Sequence, residues 1–150
     1  MAIYYDSKDE SALESAVEVL GFKDSLSPNA NISLQIWLTH TSTSDCYIRL
    51  YGPDSRSITL SRAKGSANTF NGTLFTDSAL NSVLNYTFPQ DGVVTPLQPK
   101  DPFSKFRGIN PNGKWRLWVN DEGFEDDGEL NGFILNIQGF FFFFLSLSFK

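Results

Sequence analysis

The chain is poor in the residues that most often carry chemistry. Its 150 residues include one cysteine, one histidine and one methionine. A lone Cys46 excludes an internal disulfide, and the count leaves the redox compartment open. One histidine and one cysteine also leave zinc short of its usual ligands. There is no surplus of positive charge: 12 Lys and Arg stand scattered against 17 Asp and Glu, for a net charge of -5. That balance, with no basic run, argues against nucleic acid as a partner. The longest apolar run, Phe140 to Leu145, has six residues, far from the about 20 that a membrane-spanning helix needs. Met1 is followed by Ala2-Ile3-Tyr4-Tyr5-Asp6, without a basic and then apolar leader, so this chain shows no signal peptide.

What is present is an ordinary globular composition, 41% hydrophobic and 19% charged, in a length that suits one domain. The dominant pattern has period two. Ile32, Leu34, Ile36 and Leu38 share one face, with Ser33, Gln35 and Thr39 on the other, as in a half-buried strand. Cys46, Ile48 and Leu50 then alternate with Tyr47, Arg49 and Tyr51. Gly52-Pro53-Asp54-Ser55 supplies turn chemistry before Ser57-Ile58-Thr59-Leu60, which predicts a hairpin. Trp115, Leu117 and Val119 alternate with Arg116 and Trp118 after the turn Asn110-Pro111-Asn112-Gly113. The polar, acidic stretch from Asn120 to Gly128 leads to Phe133, Leu135 and Ile137, and the pair of runs reads as a second hairpin with a longer connection. Residues 61–110 predict long loops, with short strands near Thr73-Leu74-Phe75 and from Ser82 to Tyr86.

Only Asp9 to Leu20 competes: Glu10 to Glu18 could form one short helix, but Ala16 to Phe22 also reads as a strand ending in a turn, and within a chain of strands the strand is favoured. Many short strands between turns predict an all-β jelly-roll sandwich of about eight mostly antiparallel strands. The domain is expected over residues 1–139. The tail, 140–150, is placed outside the fold, because an exposed, uncharged β-prone run is an aggregation hazard that natural sequences avoid. Phe, Leu and Ser all have pyrimidine-rich codons, which suggests a translated intron or untranslated tract; an extra edge strand or a contact to a partner is the other reading.

Four pieces of the chain resemble a known family. Phe106-Arg107-Gly108-Ile109 through Asn110-Pro111-Asn112-Gly113-Lys114-Trp115 to Asp121, then Asp126-Asp127-Gly128-Glu129-Leu130-Asn131, looks like the closing strands of the P domain (homo B domain) of subtilisin-like proprotein convertases. Leu38-Thr39-His40-Thr41, Asp45 and Arg49-Leu50-Tyr51-Gly52-Pro53-Asp54 resemble an upstream motif of that family. Phe70-Asn71-Gly72-Thr73 to Phe75-Thr76-Asp77-Ser78-Ala79, and the Pro-rich segment from Pro96 to Phe106, resemble two more, all in family order. The departures are Ser44 and Cys46 around Asp45, Glu125 and Asp127 in the acidic turn, and Phe133 where Trp is common. The resemblance implies a secretory or extracellular, non-catalytic domain. Its implied role is to fold, stabilise or tune an adjacent subtilisin-like catalytic domain through an apolar surface patch. A stand-alone module binding a glycan or a protein is the alternative.

Candidate chemistry is sparse. His40 has Ser42, Ser44 and Asp45 near it in sequence, but neighbours along a strand face opposite ways, so a structural role at a turn is expected and no triad. Calcium takes six to eight oxygen ligands, which loop carboxylates can supply. Asp45, Asp77, Asp121 and Asp126 are the candidate ligands, against the plainer reading of a solvated acidic loop. Trp37, Trp118, Tyr47 and Tyr51 fall opposite the apolar faces, where they could stack on sugars, meet a partner protein or cover the sheet. Cys46 is expected to be buried as a small hydrophobe.

Overall fold

The computed structural model describes residues 2–7, 10–88, 95–123 and 128–148. The chain runs β1 (Ala2–Ser7), β2 (Glu10–Val19), β3 (Ile32–His40), the 3-10 turn η1 (Thr43–Asp45), β4 (Cys46–Tyr51), β5 (Ser57–Arg62), β6 (Asn71–Thr76), β7 (Asn81–Ser82), β8 (Leu97–Gln98), η2 (Phe103–Phe106), β9 (Gly113–Asp121), β10 (Gly128–Ile137) and β11 (Phe140–Ser148). Two sheets result. Sheet A has the order β1-β2-β9-β4-β5 and sheet B the order β11-β10-β3-β6-β8-β7. All pairings are antiparallel except those of the two-residue β8 with β6 and β7. The expected all-β sandwich is thus observed. Among the described residues its strands number eleven, because both terminal segments and the two-residue β8 join the predicted set, in which the strand expected from Ser82 to Tyr86 is reduced to β7. No helix among the described residues is long and apolar enough to cross a membrane.

The period-two pattern builds the core directly. Trp115, Leu117 and Val119 from β9 and Ile48 and Leu50 from β4 face Leu34, Ile36 and Leu38 from β3 and Leu130, Phe133 and Leu135 from β10, all buried. Cys46 is buried among them, as expected of a small apolar residue. The motif residues before β9 fix its approach. Asn112 donates from Nδ2 to the Phe22 carbonyl at 2.7 Å and accepts the Phe22 N–H on Oδ1 at 3.0 Å. The Trp115 indole donates to the Pro111 carbonyl at 2.8 Å, so a fully buried ring keeps its polar atom satisfied.

Two expectations are corrected. β4 and β5 form the predicted hairpin, but β9 and β10 do not form one. β9 pairs with β2 and β4 in sheet A, whereas β10 pairs with β3 and β11 in sheet B. Their alternation records one buried face each, and two strands facing each other across a sandwich bury the same faces as two strands side by side. The long connection lets the chain change sheets.

The tail expected to lie outside the fold is edge strand β11, paired with β10 in constant register from Ile137↔Phe140 to Glu129↔Ser148. Its cause is local. Gln138 and Gly139 both take left-handed backbone, at φ 52° and 88°, which is the two-residue turn whose twist suits a hairpin. The Gly139 N–H is held by Asn136 Oδ1 at 2.8 Å. Phe142 and Phe144 then pack against the core, with Phe144 stacked on Phe133 at 5.9 Å between ring centroids.

Candidate functional site

The expected calcium ligands are not gathered in one place. Asp77 follows β6, whose Thr76 pairs with Ser33 near the start of β3. Asp121 ends β9 and meets His40 at the far end of β3, seven residues or about 23 Å away along the strand. The Asp77 carboxylate accepts the backbone N–H groups of Phe103 at 2.8 Å and Ser104 at 3.0 Å. It therefore caps η2, where free donors need an acceptor. Asp45 lies half-buried in η1 beside the Asp121 end, its carbonyl accepting the Glu122 N–H at 2.7 Å. Asp126 lies outside the described residues.

His40 and Asp121 form a clasp between the sheets. The imidazole Nδ1 accepts the Ser42 backbone N–H at 3.0 Å, so that nitrogen carries no proton. Nε2 therefore bears the hydrogen and donates it to Asp121 Oδ2 at 2.9 Å. Asp121 Oδ1 accepts the Gly123 N–H at 2.9 Å. The pair is almost fully buried, with 0% and 4% side-chain exposure. Both crossings between the sheets at this end, η1 and the segment after β9, are tied through it. Gly128, opposite His40 in the β10–β3 register, is required here: a Cβ would stand 2.5 Å from His40 Cδ2 and 2.8 Å from the Thr39 carbonyl. The glycine of the closing motif and the histidine of the upstream motif are thus two halves of one contact.

This geometry limits the chemistry. Ser42 and Ser44 bond each other through their hydroxyls at 2.9 Å, and both His40 nitrogens are engaged within the fold. The sole histidine thus holds Asp121 with one nitrogen and the Ser42 N–H with the other. For calcium, Asp77 and Asp121 already receive protein N–H groups on both oxygens. Glu122 holds Arg62 through two bonds of 3.1 and 3.0 Å. Among the described residues no three His, Cys, Asp or Glu side chains come together as a ligand set.

The four outward aromatics divide between the two faces of the sandwich. On the outer face of sheet A, Trp118 meets Tyr47 edge-on at 5.3 Å, Arg49 lies over Tyr47 and Tyr51 at 5.6 and 5.2 Å, and Arg62 and Arg116 cover the same two tyrosines at 4.2 and 4.5 Å. The rings there are covered by guanidinium groups, a cation–π arrangement. Trp37 stands on the outer face of sheet B, so these residues form no common sugar platform.

Beside Trp37 is a feature that the alternation of the sequence does not show. Trp37, Gly132, Ile134 and Leu145, with Asn71 and Asn131, line a mostly apolar hollow of about 310 Å³. A bulge between Leu130 and Gly132 turns Gly132 outward opposite Trp37, leaving the floor without a side chain. Its sequence signal is Ile134, an apolar residue on the side of β10 that alternation assigns to solvent.

Residues 29–137, well over half of the chain, match the family model of the proprotein convertase P-domain. No curated protein matches the chain at a significant level. Two solved structures are similar in part. The serine protease of Aeromonas sobria in complex with a chaperone is 14% identical, with a TM-score of 0.35, and the match covers 100% of this chain and 24% of that one. The same organism's serine protease in a second structure is 15% identical with a TM-score of 0.35, covering 99% and 26%. The chain thus spans about a quarter of the length of those proteases. The four motif segments lie largely within the matched span, and β1, β2 and β11 lie outside it. On that match the chain belongs to the proprotein convertase P-domain family, a family of non-catalytic accessory domains associated with subtilisin-like proteases.

Proposed function

We propose that this domain stabilises or regulates a neighbouring subtilisin-like catalytic domain, and that it docks through the outer face of sheet B around Trp37. The observation that carries this reading is the hollow between Trp37, Gly132, Ile134 and Leu145. Apolar patches rimmed by polar residues mark protein contacts, and an aromatic ring beside an empty hollow is the usual anchor. The outer face of sheet A supports the choice by contrast, since its tyrosines are already covered by Arg49, Arg62 and Arg116. The domain contributes no catalytic group of its own, a reading supported by the engagement of both His40 nitrogens inside the fold. It works in the secretory pathway or outside the cell, beside the protease.

The test is the heat-inactivation half-life of a subtilisin-like catalytic domain from the same source, joined to or mixed with this domain. The wild-type domain is expected to lengthen the half-life and Trp37→Ala to abolish the gain while the domain itself stays folded. An equal gain from both would move the docking face elsewhere. The domain alone is expected to hydrolyse no peptide substrate.

A further inference from the structure

We propose that the free edge of β11 is a self-pairing surface, on which a second copy of this chain adds its own β11 antiparallel to form a two-fold dimer. β11 ends the order of sheet B and pairs with β10 alone among the described strands, β2 packing close to it without pairing. One row of its backbone N–H and C=O groups therefore has no described strand hydrogen-bonded to it. Natural edge strands are usually protected by charge, proline or a bulge. β11 has none of these: residues 138–149 carry no charge and no proline, and the β10–β11 register is constant throughout. Instead the strand exposes Phe140, Phe141, Phe143 and Leu145, at 63%, 64%, 66% and 72%.

The occupant is argued from self-complementarity. Antiparallel pairing about a two-fold axis sets a strand against itself, so each row of phenylalanines meets the same row of the other copy. Aromatic cross-strand pairs of this kind are among the favourable ones. Each copy carries a net charge of -5, but none of that charge lies in the pairing segment, so the seam joins without local repulsion. Strand addition at this edge would pair the open backbone row and cover part of the four exposed side chains, each of which meets its like across the seam. A partner's strand could use the same edge only by supplying equally long, uncharged pairing. The second copy supplies it by construction. The two B sheets would then continue as one.

The experiment is sedimentation of the purified chain from micromolar to sub-millimolar concentration, with Phe141→Lys/Phe143→Lys and Trp37→Ala as comparisons. Wild type is expected to pass from monomer to dimer and stop there. The double lysine variant, altered only at exposed side chains, is expected to bind itself at least about 100-fold more weakly. Trp37→Ala is expected to dimerise like wild type, since Trp37 lies on β3 and the two surfaces share Leu145 but not the indole. Should the lysine variant not fold, amide exchange of wild-type β11 decides: its protection must rise with protein concentration. A wild-type chain that stays monomeric, that grows into open-ended oligomers, or whose lysine variant dimerises unchanged would overturn the proposal. Pairing only after a catalytic domain is added would overturn it as well, by making the edge a site for another protein.

Discussion

His40 and Asp121 are 81 residues apart in the chain and 2.9 Å apart in the fold, and their bond joins the two sheets. Removing the ring would strand a buried carboxylate and the Ser42 N–H together. His40→Ala is therefore expected to cost about 3 kcal/mol, lowering the melting temperature by roughly 10 °C in calorimetry. A loss below about 1 kcal/mol would show that the clasp does not hold the sheets. The same count of acceptors bears on calcium. Asp77 and Asp121 bond protein donors with both oxygens, so a chelator is expected to leave the melting temperature unchanged. A fall of several degrees would show an ion bound by the acidic connection between β9 and β10. At this scale the sequence is legible where a role follows from local alternation, as for Cys46 and Ile48. It is not legible for Asp77 and Asp121. Both look like spare loop carboxylates until partners 26 and 81 residues away are brought beside them.

Among the elements, β3, β4, β9 and β10 can be read from period two, because along most of each one face is buried and the other half-exposed. By contrast, β5 buries Ile58 to Ser61 in succession and is read from its turn. Which sheet a strand joins cannot be read that way. The face of β9 buried against β3 and β10 has the same apolar spacing it would have beside them, and only the crossover geometry separates the cases. β11 shows a different failure. Its hairpin signal, a glycine in a two-residue turn followed by apolar residues, is present at Gln138-Gly139, but the run of phenylalanines gives the segment the look of an unselected tail. Gly139 has φ 88°, and nothing stands within 4 Å of the place a Cβ would take, so any cost of a side chain there is conformational. Gly139→Ala is expected to cost about 1 kcal/mol and to lower the melting temperature by about 3 °C. Amide exchange in β11 should rise more than in β3. An unchanged exchange rate in β11 would mean that the turn does not hold the strand.

For the whole molecule, the two ends of the sandwich are tied by internal polar contacts, His40 with Asp121 at one and Asp77 with η2 at the other. The outer face of sheet A is covered by its own arginines. Among the described residues, the outer face of sheet B around Trp37 carries no such cover, which fits the proposed docking there. The family can be recognised from the motifs because their residues make the fixing contacts themselves: Asn112 with Phe22 and Gly128 with His40 at long range, and Trp115 with Pro111 within its own turn. The docking hollow is hidden because it depends on a bulge at Asn131 that alternation cannot show.

The most direct test is the residual endopeptidase activity of a heated subtilisin-like catalytic domain with and without this domain. The account predicts a longer half-life with the wild-type domain and no gain with Trp37→Ala. Equal half-lives with and without a saturating amount of the wild-type domain would contradict it.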